Sequence, residues 1–174
     1  MTIRKILTEP DPFLRQKSNN VDEVNDEIQS LMNDMLDTMY DAPGIGLAAI
    51  QVGVPKRVIV MDLSRDDEKK NPLYFINPVL ITNSDNNAAY EEGCLSVPGQ
   101  FAEIDRPDQC HISYLDYNNK QQELKAKGLL ATCIQHEIDH LEGILFIDYL
   151  SKLKKTMIIK KLSKQKGKSE RIVV

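Results

Sequence analysis

Gln135-His136-Glu137-Ile138-Asp139-His140 lies inside the stretch Gly128 to Gly143, and its reading decides the fold as well as the chemistry. Leu130, Ile134, Ile138 and Leu141 recur at helical spacing, and Gly143 suits the residue just past a helix end. In such a helix positions i and i+4 share a face. His136 and His140 can therefore present two imidazoles to one ion, with Glu137 beside them. At about 100° per residue, Leu129, Cys133, His136 and His140 form one stripe. Leu130, Ile134, Ile138 and Leu141 form an apolar second, and Gln135, Asp139 and Glu142 a polar third. Two histidines at this spacing are also compatible with ordinary core or surface positions, so the pattern needs a third partner to become a metal centre.

A catalytic ion takes three protein ligands and keeps one position open. Cys94 is the candidate third ligand. It lies in Tyr90-Glu91-Glu92-Gly93-Cys94-Leu95-Ser96, where Gly93 lets the backbone come close and a thiolate suits a borderline-soft divalent ion. Cys110 and Cys133 read as packing residues, with Cys133 lining the pocket beside His136. A purely structural site would be closed by four protein ligands and would have no use for Glu137.

Working outward, Ile28, Leu31, Met32, Met35, Leu36 and Met39 predict an amphipathic helix from about Val24, with Asn25 as N-cap and Asp26 and Glu27 in its first turn. It should stop near Asp41-Ala42-Pro43-Gly44 and give way to a glycine-rich loop. Val58 to Met61, Tyr74 to Ile76 and Val79 to Ile81 read as short strands of a mixed sheet. His111 to Leu115 and a run near Gln122 to Leu124 flank Asn118-Asn119, a hairpin turn. From Ser151, Leu153, Met157, Ile158 and Leu162 among lysines predict a C-terminal helix. The class is α+β: mixed or antiparallel sheets packed around a central HExxH helix, with an N-terminal amphipathic helix and a C-terminal helix.

The 174 residues fit one catalytic domain, 1–174, of which 151–174 is a basic helix and tail. That last segment carries +8, which leaves −12 on the remainder of a chain whose net charge is −4. A basic appendage of this kind suits a polyanion such as ribosomal RNA, and equally a solvated surface. No apolar run approaches the roughly 20 residues of a membrane-spanning helix. The N-terminus carries no signal-peptide pattern, so a cytoplasmic address and no membrane partner are expected.

Three segments together resemble the peptide deformylases: Gly44-Ile45-Gly46-Leu47-Ala48-Ala49-Ile50-Gln51, Glu92-Gly93-Cys94-Leu95-Ser96 and Gln135 to His140. They occur in family order, with the spacing of the shorter bacterial form. The resemblance implies removal of the formyl group from the N-terminal methionine of nascent chains, with release of formate, by a monomeric bacterial enzyme. It implies one divalent metal ion, Fe2+ in the cell and Zn2+, Ni2+ or Co2+ as alternatives. Cys94, His136 and His140 would be the ligands and Glu137 the general acid and base. Gln51 and the backbone N–H of Leu95 would be oxyanion donors. Ile45, Gly46, Glu92, Gly93, Leu129 and Cys133 would border the methionine pocket.

An unpaired Glu92 would repel a nearby thiolate, so Arg106 is its expected partner. Asp139 reads as a solvated helix residue. Phe101 stands where some bacterial members carry an arginine near the substrate cleft. A zinc endopeptidase is the nearest alternative enzyme, although its third ligand is usually a histidine or glutamate.

Overall fold

The structure, a computed structural model, describes residues 2–172, with side chains described through residue 165. In chain order the elements are α1 (Asp26–Asp41), β1 (Gly46–Ala48), β2 (Val58–Met61), β3 (Leu73–Asn83), β4 (Asn87–Cys94), β5 (Val97–Pro107), β6 (Gln109–Leu115), β7 (Gln121–Lys127), α2 (Leu129–Leu141) and α3 (Lys152–Ile172). Strands β1-β2-β3-β6-β7 form a five-stranded sheet, and β4 and β5 pair separately as a hairpin.

The sheet is a middle layer, and the period-2 alternation of its strands explains why. Val58 and Val60 of β2, with Leu47 and Ile76, pack against Ile28, Leu31, Met32, Met35 and Met39 of α1. Ile59 and Met61, with Phe75 and Ile112, face the other way onto Ala131, Ile134 and Leu141 of α2. All four β2 residues are buried, which is why this strand reads as a continuous apolar run. Helix α1 starts where the Asn25 side chain accepts the Ile28 N–H at 3.1 Å, satisfying one donor that the first helical turn leaves unpaired. A third cluster, Val97, Ile104, Leu145, Phe146, Ile147 and Leu162, fixes the hairpin to α3.

Several expectations change. Every strand pair is antiparallel, so the mixed sheet is corrected; the parallel pairing found among the described residues is the isolated bridge Asn19–Lys56. Strands β4 and β5 are joined by two residues and β6 and β7 by five, too few for the crossover of a dozen or more residues that parallel neighbours would need. The two runs around Asn77-Pro78 belong to one strand, β3. Asn77 takes a positive φ of 48° there, at a register shift between Ile76 and Val79, and so bulges rather than turns. The glycine-rich loop includes β1, paired with β2. Of the basic segment, residues 173 and 174 and the side chains from 166 onward lie outside the described residues, so the charge of the far tail is not placed. No helix among the described residues is long and apolar enough to cross a membrane.

Candidate active site

Three chain segments meet over α2. The Cys94 Sγ, one ring nitrogen of His136 and one of His140 all lie within 4.8 Å of one another, and Cys94 Sγ is 3.3 Å from His140 Nε2. The two histidines come from successive turns of α2, where only 8% and 1% of their surface stays exposed. Cys94 ends β4 at a register shift between Gly93 and Cys94, an irregularity of the kind that re-aims a side chain.

The donors are electrostatically prepared. His136 Nδ1 donates to Glu92 Oε1 at 2.8 Å, which leaves its Nε2 for the cluster. Burial works against the charged form of His136, but its contacts with Cys94 and Glu92 outweigh burial and hold its pKa well above the ordinary value. Burial, with His136 nearby, holds His140 well below its ordinary value, in the neutral form that ligates metals. One thiolate-capable sulfur and two imidazoles, open on one side to a cleft, fit a single borderline-soft divalent cation.

Glu137 stands beside this cluster with 5% exposure, and its buried Oε2 has no hydrogen-bond partner in the protein. Burial pushes its carboxyl up to about 7, in the range where a group both takes and returns protons near neutrality. Its neighbour across the cleft is Gly46. A Cβ on Gly46 would sit 2.7 Å from Glu137 Oε1, so space rather than backbone angle requires glycine there. Neither Gly44 nor Gly46 has a positive φ. At Gly93 the corresponding space is filled by the Phe101 ring, 2.5 Å from where a Cβ would lie.

Gln51 sits in a single 3-10 turn, Ala49–Val52, with 1% exposure. Its Oε1 accepts the Ala48 N–H at 2.9 Å, which fixes the amide orientation. Nε2 then donates to Ser96 Oγ at 3.0 Å and reaches Cys94 Sγ at 3.6 Å. Ser96 is fully buried, and the sequence reading gave it no role. Its hydroxyl partner lies 45 residues away, so no local pattern announces it.

Glu92 is paired with Arg106 as expected. Arg106 Nε and Nη2 donate to its two oxygens at 2.7 and 3.0 Å, both side chains being 5% exposed. Burial raises the Glu92 carboxyl, yet the hydrogen bonds from His136 and Arg106 prevail and hold it below its ordinary value. Asp139 departs from expectation. Its Oδ2 accepts from Arg106 Nη1 at 2.8 Å and from Tyr149 Oη at 2.7 Å, so it belongs to this network and is not a solvated residue. A file of contacts thus runs from Tyr149 through Asp139, Arg106 and Glu92 to His136.

The cleft has a volume of about 510 Å³. Gly44, Ile45 and Gly46 form one wall, Glu92 to Leu95 and Pro98 to Phe101 the other, and Leu129, Thr132, Cys133, His136 and Glu137 the floor. Burial raises the Cys133 thiol to about 12, which keeps it an apolar lining group. Cys110 is buried in the sheet, away from the cleft.

Comparison with known proteins agrees with this arrangement. The family described as polypeptide deformylase matches residues 3–156. A peptide deformylase of Pelagibacter ubique (strain HTCC1062) is 69% identical over 174 residues, the whole of both chains. One from Maricaulis maris (strain MCS10) is 59% identical over 171 residues, 98% of each. The crystal structure of peptide deformylase from Ehrlichia chaffeensis superposes with a TM-score of 0.92 at 42% identity, covering 97% of this chain and 99% of that one. A second Ehrlichia chaffeensis structure, in complex with actinonin, gives 0.91 at 44%, covering 95% and 98%. The chain belongs to the polypeptide deformylase family, metal-dependent enzymes that remove the N-formyl group from newly made polypeptides.

Proposed function

We propose that the chain works as a monomeric, single-domain catalyst of the bacterial cytoplasm, with one divalent ion held by Cys94, His136 and His140. Fe2+ is the cellular ion, and Zn2+, Ni2+ or Co2+ can take its place. The observation that carries this reading is the convergence of these three donor atoms within 4.8 Å beside the partnerless carboxylate of Glu137. When bound, such an ion supplies Lewis acidity, lowering the pKa of water and polarising the formyl carbonyl.

The chain's own groups do the rest. Glu137 takes the proton of the attacking water and passes it to the departing amine, a double duty suited to a carboxyl at about 7. As the formyl carbon becomes tetrahedral its oxygen gains charge. The Gln51 Nε2, already oriented by Ala48, and the Leu95 backbone N–H donate to that oxygen. The buried Glu92–Arg106 pair orients the His136 ring. Ile45, Leu129 and Cys133, with the backbone of Gly46, Glu92 and Gly93, border the space for the methionine side chain; an apolar slot accepts a flexible thioether readily.

Formate release from formyl-Met-Ala-Ser by anaerobically iron-loaded protein tests the reading, with Cys94→Ala and Glu137→Ala as controls. Release lost in both variants is expected. Undiminished release in either, or cleavage of casein in its place, would overturn it.

A further inference from the structure

Beside the catalytic cleft runs a second groove of about 430 Å³, between β5 and α3. Gln100 and Phe101 line both, so the two are continuous across one ridge. Phe101, which also lines the catalytic cleft, is 65% exposed, and Met157 on α3 is 61% exposed, large apolar side chains left facing solvent along the groove. Lys154, Met157, Ile158 and Lys161 are spaced i, i+3, i+4 and i+7, and so share one face of α3. Both lysines are exposed, and neither forms an ion pair among the described residues, whereas the neighbouring Lys155 is held by Asp148 at 2.7 Å. Glu103 also lines the groove and offsets one of the two charges.

Resting on the deformylase reading of the cleft, we propose that this groove binds the downstream segment of the same formylated polypeptide. Apolar side chains lie over Phe101, Met157 and Ile158, and acidic side chains face Lys154 and Lys161. Continuity with the cleft supplies the occupant, because a chain anchored by its first residue has the rest of its length to place. The unpaired lysines supply the charge preference. An exposed ion pair contributes modestly, so two should change kcat/KM by roughly two- to fivefold, mostly through KM.

The test compares formyl-Met-Ala-Ser with two formylated peptides of greater length, one carrying Leu-Asp-Asp downstream and the other Leu-Lys-Lys. Wild type should favour the acidic long peptide by that factor, with the preference fading as salt is raised. In Lys154→Met/Lys161→Met, which keeps the apolar stems, and in Lys154→Glu/Lys161→Glu, the preference should vanish or reverse while the tripeptide rate is unchanged. Equal rates on both long peptides, or a preference that survives in both variants, overturn the groove. So does retained discrimination accompanied by loss of salt-sensitive ribosome binding, which would assign the lysines to RNA. No release from the tripeptide would instead sink the deformylase reading itself.

Discussion

Helices α1 and α2 pack on opposite faces of one sheet and bury their faces for opposite reasons. Helix α1 buries Ile28, Leu31, Met32, Met35, Thr38 and Met39, a stripe whose content is almost wholly hydrophobic. Helix α2 buries Thr132, Gln135, His136, Glu137 and His140 alongside Ala131, Cys133, Ile134 and Leu141. Removing apolar surface from water stabilises the fold directly. Burying ionisable groups costs stability unless each finds a partner, and the Glu137 carboxylate finds none in the protein. One helix is therefore built for stability, and the other holds the candidate site at stability's expense. Perturbing each should move a different observable.

The sharpest separation comes from Glu137→Gln. Formate release should fall by about 10²–10⁴-fold, the usual contribution of a positioned acid and base. Stability should go the other way. A buried carboxyl raised to about 7 favours its neutral form, so the chelator-treated wild type loses stability as pH climbs from the ordinary carboxylate range through 7. The neutral amide removes that loss, and thermal melts should show the variant at least as stable above neutrality. A variant that is inactive and also much less stable would break the contrast.

Met35→Ala on α1 should cost about 2–5 kcal/mol by urea unfolding, since Met35 is fully buried, while kcat/KM of the folded protein stays within a small factor. A rate loss as large as that of Glu137→Gln would show that the two helices are not separable.

Tyr40→Phe probes the polar anchor of α1. Tyr40 Oη donates to Asp62 Oδ2 at 2.6 Å, and Ser64 and Asn71 N–H groups donate to the same carboxylate. Burial alone would raise Asp62, yet these bonds prevail and hold it below its ordinary value. Its contribution is thus full above the unfolded carboxylate pKa of about 3.9 and is lost as pH falls through the lower folded value. The variant should be about 1 kcal/mol less stable at neutral pH. Acid titration of stability should bring the two proteins together; a gap that widens in acid would reverse the assignment. Asn25→Ala, removing the α1 cap, should cost about 1 kcal/mol and leave formate release untouched.

What the sequence disclosed follows the same division. Periodic apolar residues announce α1 from Ile28 to Met39 and α2 from Leu130 to Leu141, because amphipathic burial leaves a local signature. The β4–β5 hairpin left none. Its strands carry Glu91, Glu92, Glu103, Asp105 and Arg106, with Gly93, Pro98 and Gly99 interrupting, so neither alternation nor β-propensity marks them. Cys94, His136, Glu137 and Gln51 could be picked out by residue type and motif. The ties of Asp139 to Arg106, 33 residues distant, and of Gln51 to Ser96, 45 residues distant, are tertiary facts with no local trace.

The placement of the three donor atoms has a kinetic side. Two belong to adjacent turns of one helix and come together as soon as that helix forms, on the sub-microsecond to microsecond scale of helix growth. The third is 46 residues from His140 and arrives only when the hairpin docks. A partly folded chain therefore offers a two-point grip and a docked one a three-point grip. On the proposed ligand set, exchange of the ion should time the opening of the hairpin, and hydrogen exchange at Cys94 and Leu95 should keep the same time.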